Sequence, residues 1–307
     1  MVIAFNINKT QIIMLLNNIR TKNVLVVLAM SLSIIGCQKL DRPELGDYPV
    51  DPDPPPYSDL KTELTFDDNS TDGGENKLEA TEEKNVTYID GVSGKAAKFG
   101  DGGYILYKAI GDTVVYPNDF KGVPADTLTN LGSFTLAFWM NGTGPVIGGA
   151  QGLFAISNSA EFWGNLELFL ENNDNGNEAF LKVHMFNSGV SSGNGEEWNE
   201  IKIPGALGKW THIAVTYNSS TSTLNVYSDG VAVIADKVLG GGNYGKVKFN
   251  NFNGMVVGTY AFQVDPSLTN HGPESWAKSF NGAFDQLRIY NRALSQSEVQ
   301  AFVDGMN

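Results

Sequence analysis

The chain has 307 residues, 42% of them hydrophobic and 18% charged, a composition of an ordered globular protein with room for one large β domain or two smaller ones. Asp and Glu number 34 against 21 Lys and Arg, a formal net charge of -13. Without a cluster of basic residues phosphate backbones have nothing to bind, which excludes nucleic acid as a partner and leaves neutral glycans or cations compatible.

The N-terminus reads as an address. Arg20 and Lys22 precede the apolar run Val24-Leu-Val-Val-Leu-Ala-Met30, which continues through Ile34 and Ile35 to Gly36-Cys37. A basic flank, a short apolar core and a small residue before the cut describe an export signal, and the run is too short for a comfortable membrane span. Ile34-Ile-Gly-Cys37 resembles a bacterial lipobox, whose cysteine carries the lipid and becomes the mature N-terminus. Cys37 is the single cysteine of the chain, so no internal disulfide competes for it. The expected layout is a signal over 1–37, a Pro/Asp-rich tether over 38–59 and one domain over 60–307. In the tether, Asp51-Pro-Asp-Pro-Pro-Pro-Tyr57 favours a stiff extended spacer, because proline lacks the N–H that ladders and helices need. Gln38-Lys-Leu-Asp41 partly resembles the export signal of Bacteroidetes surface lipoproteins. A protein of the cell envelope, lipid-anchored to the outer membrane and touching it only through the N-terminal lipid, is the expectation, on either the inner or the surface-exposed face.

From about Leu60 onward, alternating runs of strand length are separated by Gly, Asn, Asp and Ser turns. Ser133-Phe-Thr-Leu-Ala-Phe-Trp-Met140 is one such run, with Trp139 assigned to the core. In Asn165-Leu-Glu-Leu-Phe-Leu-Glu171, Leu166, Leu168 and Leu170 alternate with Glu167, Phe169 and Glu171, so one face is core and the other is acidic and aromatic. Asn172-Asn-Asp-Asn-Gly-Asn177 turns this run into Glu178-Ala-Phe-Leu-Lys-Val-His-Met-Phe186. Trp210-Thr-His-Ile-Ala-Val-Thr-Tyr217, its Trp210 also assigned to the core, pairs across 218–222 with Thr223-Leu-Asn-Val-Tyr-Ser228, and Asp229-Gly230 closes a tight turn. One helix is expected at the end, where Ser295-Gln-Ser-Glu298 has the capping-box spacing ahead of Val299, Phe302 and Val303. The fold class is an all-β, antiparallel two-sheet sandwich with a short C-terminal helix.

These residues also carry a resemblance. Gly208-Lys-Trp-Thr-His-Ile-Ala-Val-Thr-Tyr217 with Leu224-Asn-Val-Tyr-Ser-Asp-Gly230 is similar to the paired-strand signature of laminin-G-like, concanavalin A-like jelly rolls. Phe280-Asn-Gly-Ala-Phe-Asp-Gln-Leu-Arg-Ile-Tyr290 resembles their closing strand, and Leu64-Thr-Phe-Asp67 with Gly94-Lys-Ala-Ala-Lys-Phe99 their opening. The resemblance implies a jelly roll from about Leu60 to the C-terminus. It implies no single activity, since the class includes lectins, adhesion modules and glycosidases.

The glycosidases of this class use a Glu-x-Asp-x-Glu strand, to which Glu167-x-Phe-x-Glu171 comes close. The resemblance fails in the middle, because Phe169 cannot orient the nucleophile or separate the two carboxyl pKa values as Asp does. A non-catalytic carbohydrate platform uses the same residues without missing parts: an exposed Phe169 for the apolar face of a sugar, Glu167 and Glu171 for its hydroxyls, and Trp163 and Trp198 extending the surface. Tyr244 and Trp276 are further loop aromatics. The remaining alternatives are a divergent hydrolase and a structural or protein-binding adhesion module on a merely solvated face.

A structural Ca²⁺ is implied by the class, and Asp67, Asp72 and Asp285 would supply oxygen ligands if the first and last strands were neighbours. The competing reading has each Asp capping a local turn. Asp68, Ser70, Asp72, Gly73 and Glu79 also fit a calcium-loop spacing of the EF-hand type, but no helices flank it. His184, His212 and His271 are scattered, so no zinc cluster is expected, and no nucleophile elbow or phosphate loop is present.

Overall fold

The computed structural model describes residues 58–110, 123–124, 128–190 and 195–305, all within one compact unit, Tyr57–Asn307. The export signal, Cys37 and the tether lie outside the described residues. Among the described residues no helix is long and apolar enough to cross a membrane.

The described residues form fifteen strands, in chain order β1 (Leu60–Leu64), β2 (Glu82–Asp90), β3 (Lys95–Ile110), β4 (Val123–Pro124), β5 (Phe134–Gly142), β6 (Ala150–Ile156), β7 (Leu166–Leu170), β8 (Ala179–Phe186), β9 (Glu196–Ile203), β10 (Thr211–Asn218), β11 (Thr223–Ser228), β12 (Val231–Val238), β13 (Gly254–Val257), β14 (Ala277–Ser279) and β15 (Gly282–Tyr290). The helix α1 (Gln296–Asp304) ends the described chain. Hydrogen bonds link the strands in the order β12-β11-β10-β5-β15-β3-β13-β6-β7-β8-β9, with β1 on β15 and β2 on β3. All pairs are antiparallel except β14 with β6 and β4 with β3.

The path folds over on itself as a sandwich. Leu166, Leu168 and Leu170 of β7 and Leu181 and Val183 of β8 share one core with Ile213, Val215 and Tyr217 of β10 and Phe134, Leu136 and Phe138 of β5. These are the alternate positions that a pleated strand sends to one side. The hairpins expected from the turns are present, with Leu168 opposite Val183 and Val215 opposite Val226. Asp229 and Gly230 both take positive φ, 47° and 79°, the pairing a two-residue hairpin turn needs. In α1, Ser295 Oγ accepts the N–H of Glu298 while the Glu298 carboxylate accepts the N–H of Ser295, the reciprocal cap read from the sequence. Trp139 is buried at 5% exposure as expected, but Trp210 lies just ahead of β10 and is only partly buried. Tyr244, expected on a loop surface, is interior: its hydroxyl donates to the Gly195 carbonyl at 2.8 Å.

Candidate functional site

The alternation in β7 separates its two sides correctly, yet the second side is not open. All five residues of β7 are buried, with Glu167 at 0% and Phe169 at 2% exposure. The cover comes from two segments distant in sequence. Trp163, from the connection between β6 and β7, stacks on Phe169 at 5.6 Å with an interplanar angle of 5°. Tyr260, from the connection between β13 and β14, stands 5.4 Å from the same ring, and Trp198 on β9 meets it edge-on at 6.3 Å. Gly152 of β6, opposite Phe169, makes this possible: a Cβ there would lie 2.5 Å from the Tyr260 backbone N. Phe169 is therefore the floor of an aromatic layer rather than a platform, which corrects the sequence expectation for Phe169 and Glu167.

Burial also sets the electrostatics. Glu167 Oε2 accepts the N–H of Gly164 at 2.9 Å, while Oε1 has no hydrogen-bond partner among the described residues. Desolvation pushes the Glu167 carboxyl up to about 7, against the pull of the backbone N–H groups of Gly164 and Ala261. His184 lies opposite it on β8 and is held down at about 4 by desolvation, although Glu196 favours its charged form. The neutral ring directs Nε2–H to Glu196 Oε1 at 3.1 Å, and Trp198 Nε1–H donates to the same oxygen at 3.2 Å. Glu171 is partly exposed and ion-paired with Lys182 Nζ at 3.2 Å, a cation that Glu200 shares at the same distance. The two carboxylates of β7 thus sit in separate environments, one buried and one bound to Lys182, with Phe169 and its cover between them.

What remains accessible is the outer rim of the layer. Phe162, Trp163 and Trp198 are partly exposed and Trp276 is 38% exposed. Phe162 meets Trp163 edge-on at 4.9 Å and His271 at 4.5 Å, while Trp163 and Trp276 lie 6.0 Å apart. Beside this rim is a furrow of 260 Å³ lined by Glu161, Phe162, Trp163, His184, Phe186 and Glu196. The structure brings the Trp163 and Trp198 rings 5.0 Å apart, with Trp163 lining the furrow, and leaves Trp198 and Glu171 off its lining. Sequence reasoning missed Glu161, Phe162, Phe186 and Glu196. For Phe186 a signal existed, since it follows His184 by two residues on β8 and so shares its side of the strand.

β1 and β15 are indeed neighbours, and each of the three aspartates accepts backbone N–H groups, while Asp285 Oδ1 is buried with no hydrogen-bond partner among the described residues. Asp67 accepts from Lys95 at 2.7 Å and Asp285 from Val92 at 2.7 Å and Ser93 at 3.0 Å, so both cap the turn between β2 and β3. Asp72 accepts from Glu63, Gly74 and Leu78 within its own loop. Among the described residues no group of three His, Cys, Asp or Glu is placed to hold a metal ion.

Known proteins resemble this chain in sequence pattern and in shape. The family model described as the concanavalin A-like lectin/glucanases superfamily matches residues 118–300. The binding domain of Paraclostridial Mosquitocidal Protein 1 superposes with a TM-score of 0.53 at 16% identity, covering 80% of this chain and 52% of that one. The receptor binding domain of a botulinum neurotoxin C/D mosaic serotype gives 0.53 at 11% identity, over 80% and 51%. The ligand binding domain of botulinum neurotoxin serotype D, solved with N-acetylneuraminic acid, gives 0.51 at 12% identity, over 80% and 50%. The chain spans about half the length of these structures, and at such identities the likeness is one of fold alone. No curated protein matches the chain.

Proposed function

From the premise that the chain belongs to the concanavalin A-like lectin/glucanases superfamily, we propose that it is a carbohydrate-binding protein without catalysis, its saccharide held at the aromatic rim over β7–β9. The observation that carries this reading is the furrow where Phe162, Trp163 and Phe186 stand beside Glu161 and Glu196. Aromatic rings take the apolar C–H face of a sugar and carboxylates take its hydroxyls, the recurrent division of labour in a small polar-ligand site. The serotype D toxin domain, of the same fold, was solved with a sugar acid bound, which fits a saccharide partner for this fold.

The hydrolase alternative asks for two carboxyls about 5 Å apart for retention, or up to about 9.5 Å for inversion, with water or sugar between them. On β7 that space is filled by Phe169 under Trp163, and Glu171 is engaged by Lys182. A glycan array on the protein, beside its Trp163→Ala and Trp276→Ala variants, tests the binding reading: retention by the parent and loss in the variants are expected. Retention equal in all three, or no glycan bound at all, would move the protein to the adhesion class. Reducing sugar released from any polysaccharide would restore the enzyme.

The envelope location rests on Cys37 and the segment before it. Replacing Cys37 by Ser is expected to abolish lipid labelling and move the protein from the membrane pellet to the soluble fraction.

A further inference from the structure

The walls of the furrow carry a chemical bias. Its lining holds two carboxylates, Glu161 and Glu196, three aromatic rings, Phe162, Trp163 and Phe186, and the His184 imidazole, with no Lys or Arg. We infer that the unit it takes is positively charged, a sugar bearing a free amino group rather than a neutral or N-acylated one. This rests on the glycan-binding reading above and narrows it.

Several observations point the same way. Aromatic faces are negative at their centres and attract cations, by about 0.5–1 kcal/mol at exposed sites and about 2 where water is excluded. The carboxylates are acceptors only, so an ammonium with three N–H donors meets them, whereas an N-acetyl carbonyl or a sugar carboxylate would face them acceptor to acceptor. His184 adds no opposing charge: its Nε2–H is committed to Glu196 and its burial, at 2% exposure, disfavours a second proton. The same contact, with Trp198 Nε1–H, fixes Glu196 before any ligand arrives, while its carboxylate stays one-third exposed at 33%. The chain's net charge of -13 draws cations toward the surface and repels anions. At 260 Å³ the furrow falls below the roughly 300–1,000 Å³ of drug-sized pockets, a space for one terminal ring rather than a run of polymer.

The test is a calorimetric titration of the full chain with three oligosaccharides of equal length: glucosamine oligomers, N-acetylglucosamine oligomers and cello-oligomers. Glucosamine oligomers are expected to bind about tenfold more tightly than either comparator, with the advantage shrinking several-fold in 0.5 M salt as exposed charges are screened. Glu161 is exposed, so Glu161→Gln leaves the melting temperature unchanged and cuts the preference several-fold. Equal affinity for all three, or preference for the N-acetylated series, overturns the inference and leaves the glycan reading standing. Binding of spermidine but of no sugar overturns the glycan reading and supports an amine site. Silence toward every probe overturns both.

Discussion

The two sides of β7 are equally buried and differently built. Toward the sandwich interior, Leu166, Leu168 and Leu170 join a single large apolar core shared by both sheets. Toward the outside, Phe169 joins a smaller layer with Ala150, Tyr260, Phe262 and Ala277, against which Phe162, Trp163 and Trp198 pack while partly exposed. The inner side is closed by aliphatic, aromatic and methionine side chains, and its tyrosine hydroxyls, those of Tyr107, Tyr217 and Tyr244, each donate to a backbone carbonyl. The outer side encloses a carboxyl, an imidazole and a Tyr260 hydroxyl with polar atoms left unpaired among the described residues. Unpaired buried groups cost about 1–3 kcal/mol each, so the outer layer gives up stability that the inner core does not. That is the pattern expected where a surface is kept for recognition rather than for cohesion.

The sharpest way to break this comparison is Phe169→Ala. If the outer layer is a true second core, the variant loses about 3–5 kcal/mol of unfolding free energy in denaturant titration, as large aromatic truncations do. A loss below about 1 kcal/mol would make the layer a loose cover.

Next comes Glu167→Gln. A carboxyl raised from its ordinary value of 4.5 to about 7 binds a proton more tightly when folded, so its contribution falls as pH rises between those values and stays low above them. The variant removes that penalty, on the order of 3 kcal/mol for so large a shift, and is expected to melt higher than the parent at pH 8 and alike at pH 4. His184 acts in the opposite sense, its share being lost as pH falls from 6.5 toward about 4. Identical melting curves for parent and variant at pH 8 would place Glu167 in contact with water.

A smaller effect is expected from Gly152→Ala. Its Cβ would press on the Tyr260 backbone at 2.5 Å, an overpacking cost of about 1–3 kcal/mol, with altered tryptophan fluorescence as the cover lifts. Least costly is Trp276→Ala, which at 38% exposure is expected to change stability by no more than about 1 kcal/mol while weakening glycan retention.

What could be read from the sequence was local. The period of 2 in β7, the hairpin turns and the reciprocal cap at Ser295 each lie within a few residues of what determines them. The cover over Phe169 is not local: Trp163 and Tyr260 reach it from separate loops, and alternation states which way a side chain points, not what waits there. The aspartates were legible in part: β1 and β15 came together as needed, and backbone N–H groups at Lys95, Val92 and Gly74 engage Asp67, Asp285 and Asp72, which spacing alone did not state. That Trp163 and Trp198 meet, 5.0 Å apart, was legible only as loop aromatics free to cluster, without the register that decides which face they share.

One feature of the topology bears on how the furrow behaves in time. Among the described residues the hydrogen-bonded path ends at β9, the strand that supplies Glu196 and Trp198, with β8 as its ladder partner. On the other flank the Trp198 carbonyl is met by a lone side chain, Lys237 Nζ at 3.3 Å. A terminal strand frays more readily than an interior one, and here fraying would carry Glu196, one carboxylate wall of the furrow, with it. An occupant gripping Glu196 would act as a clasp on that margin, and its arrival would register as slower amide exchange along β9.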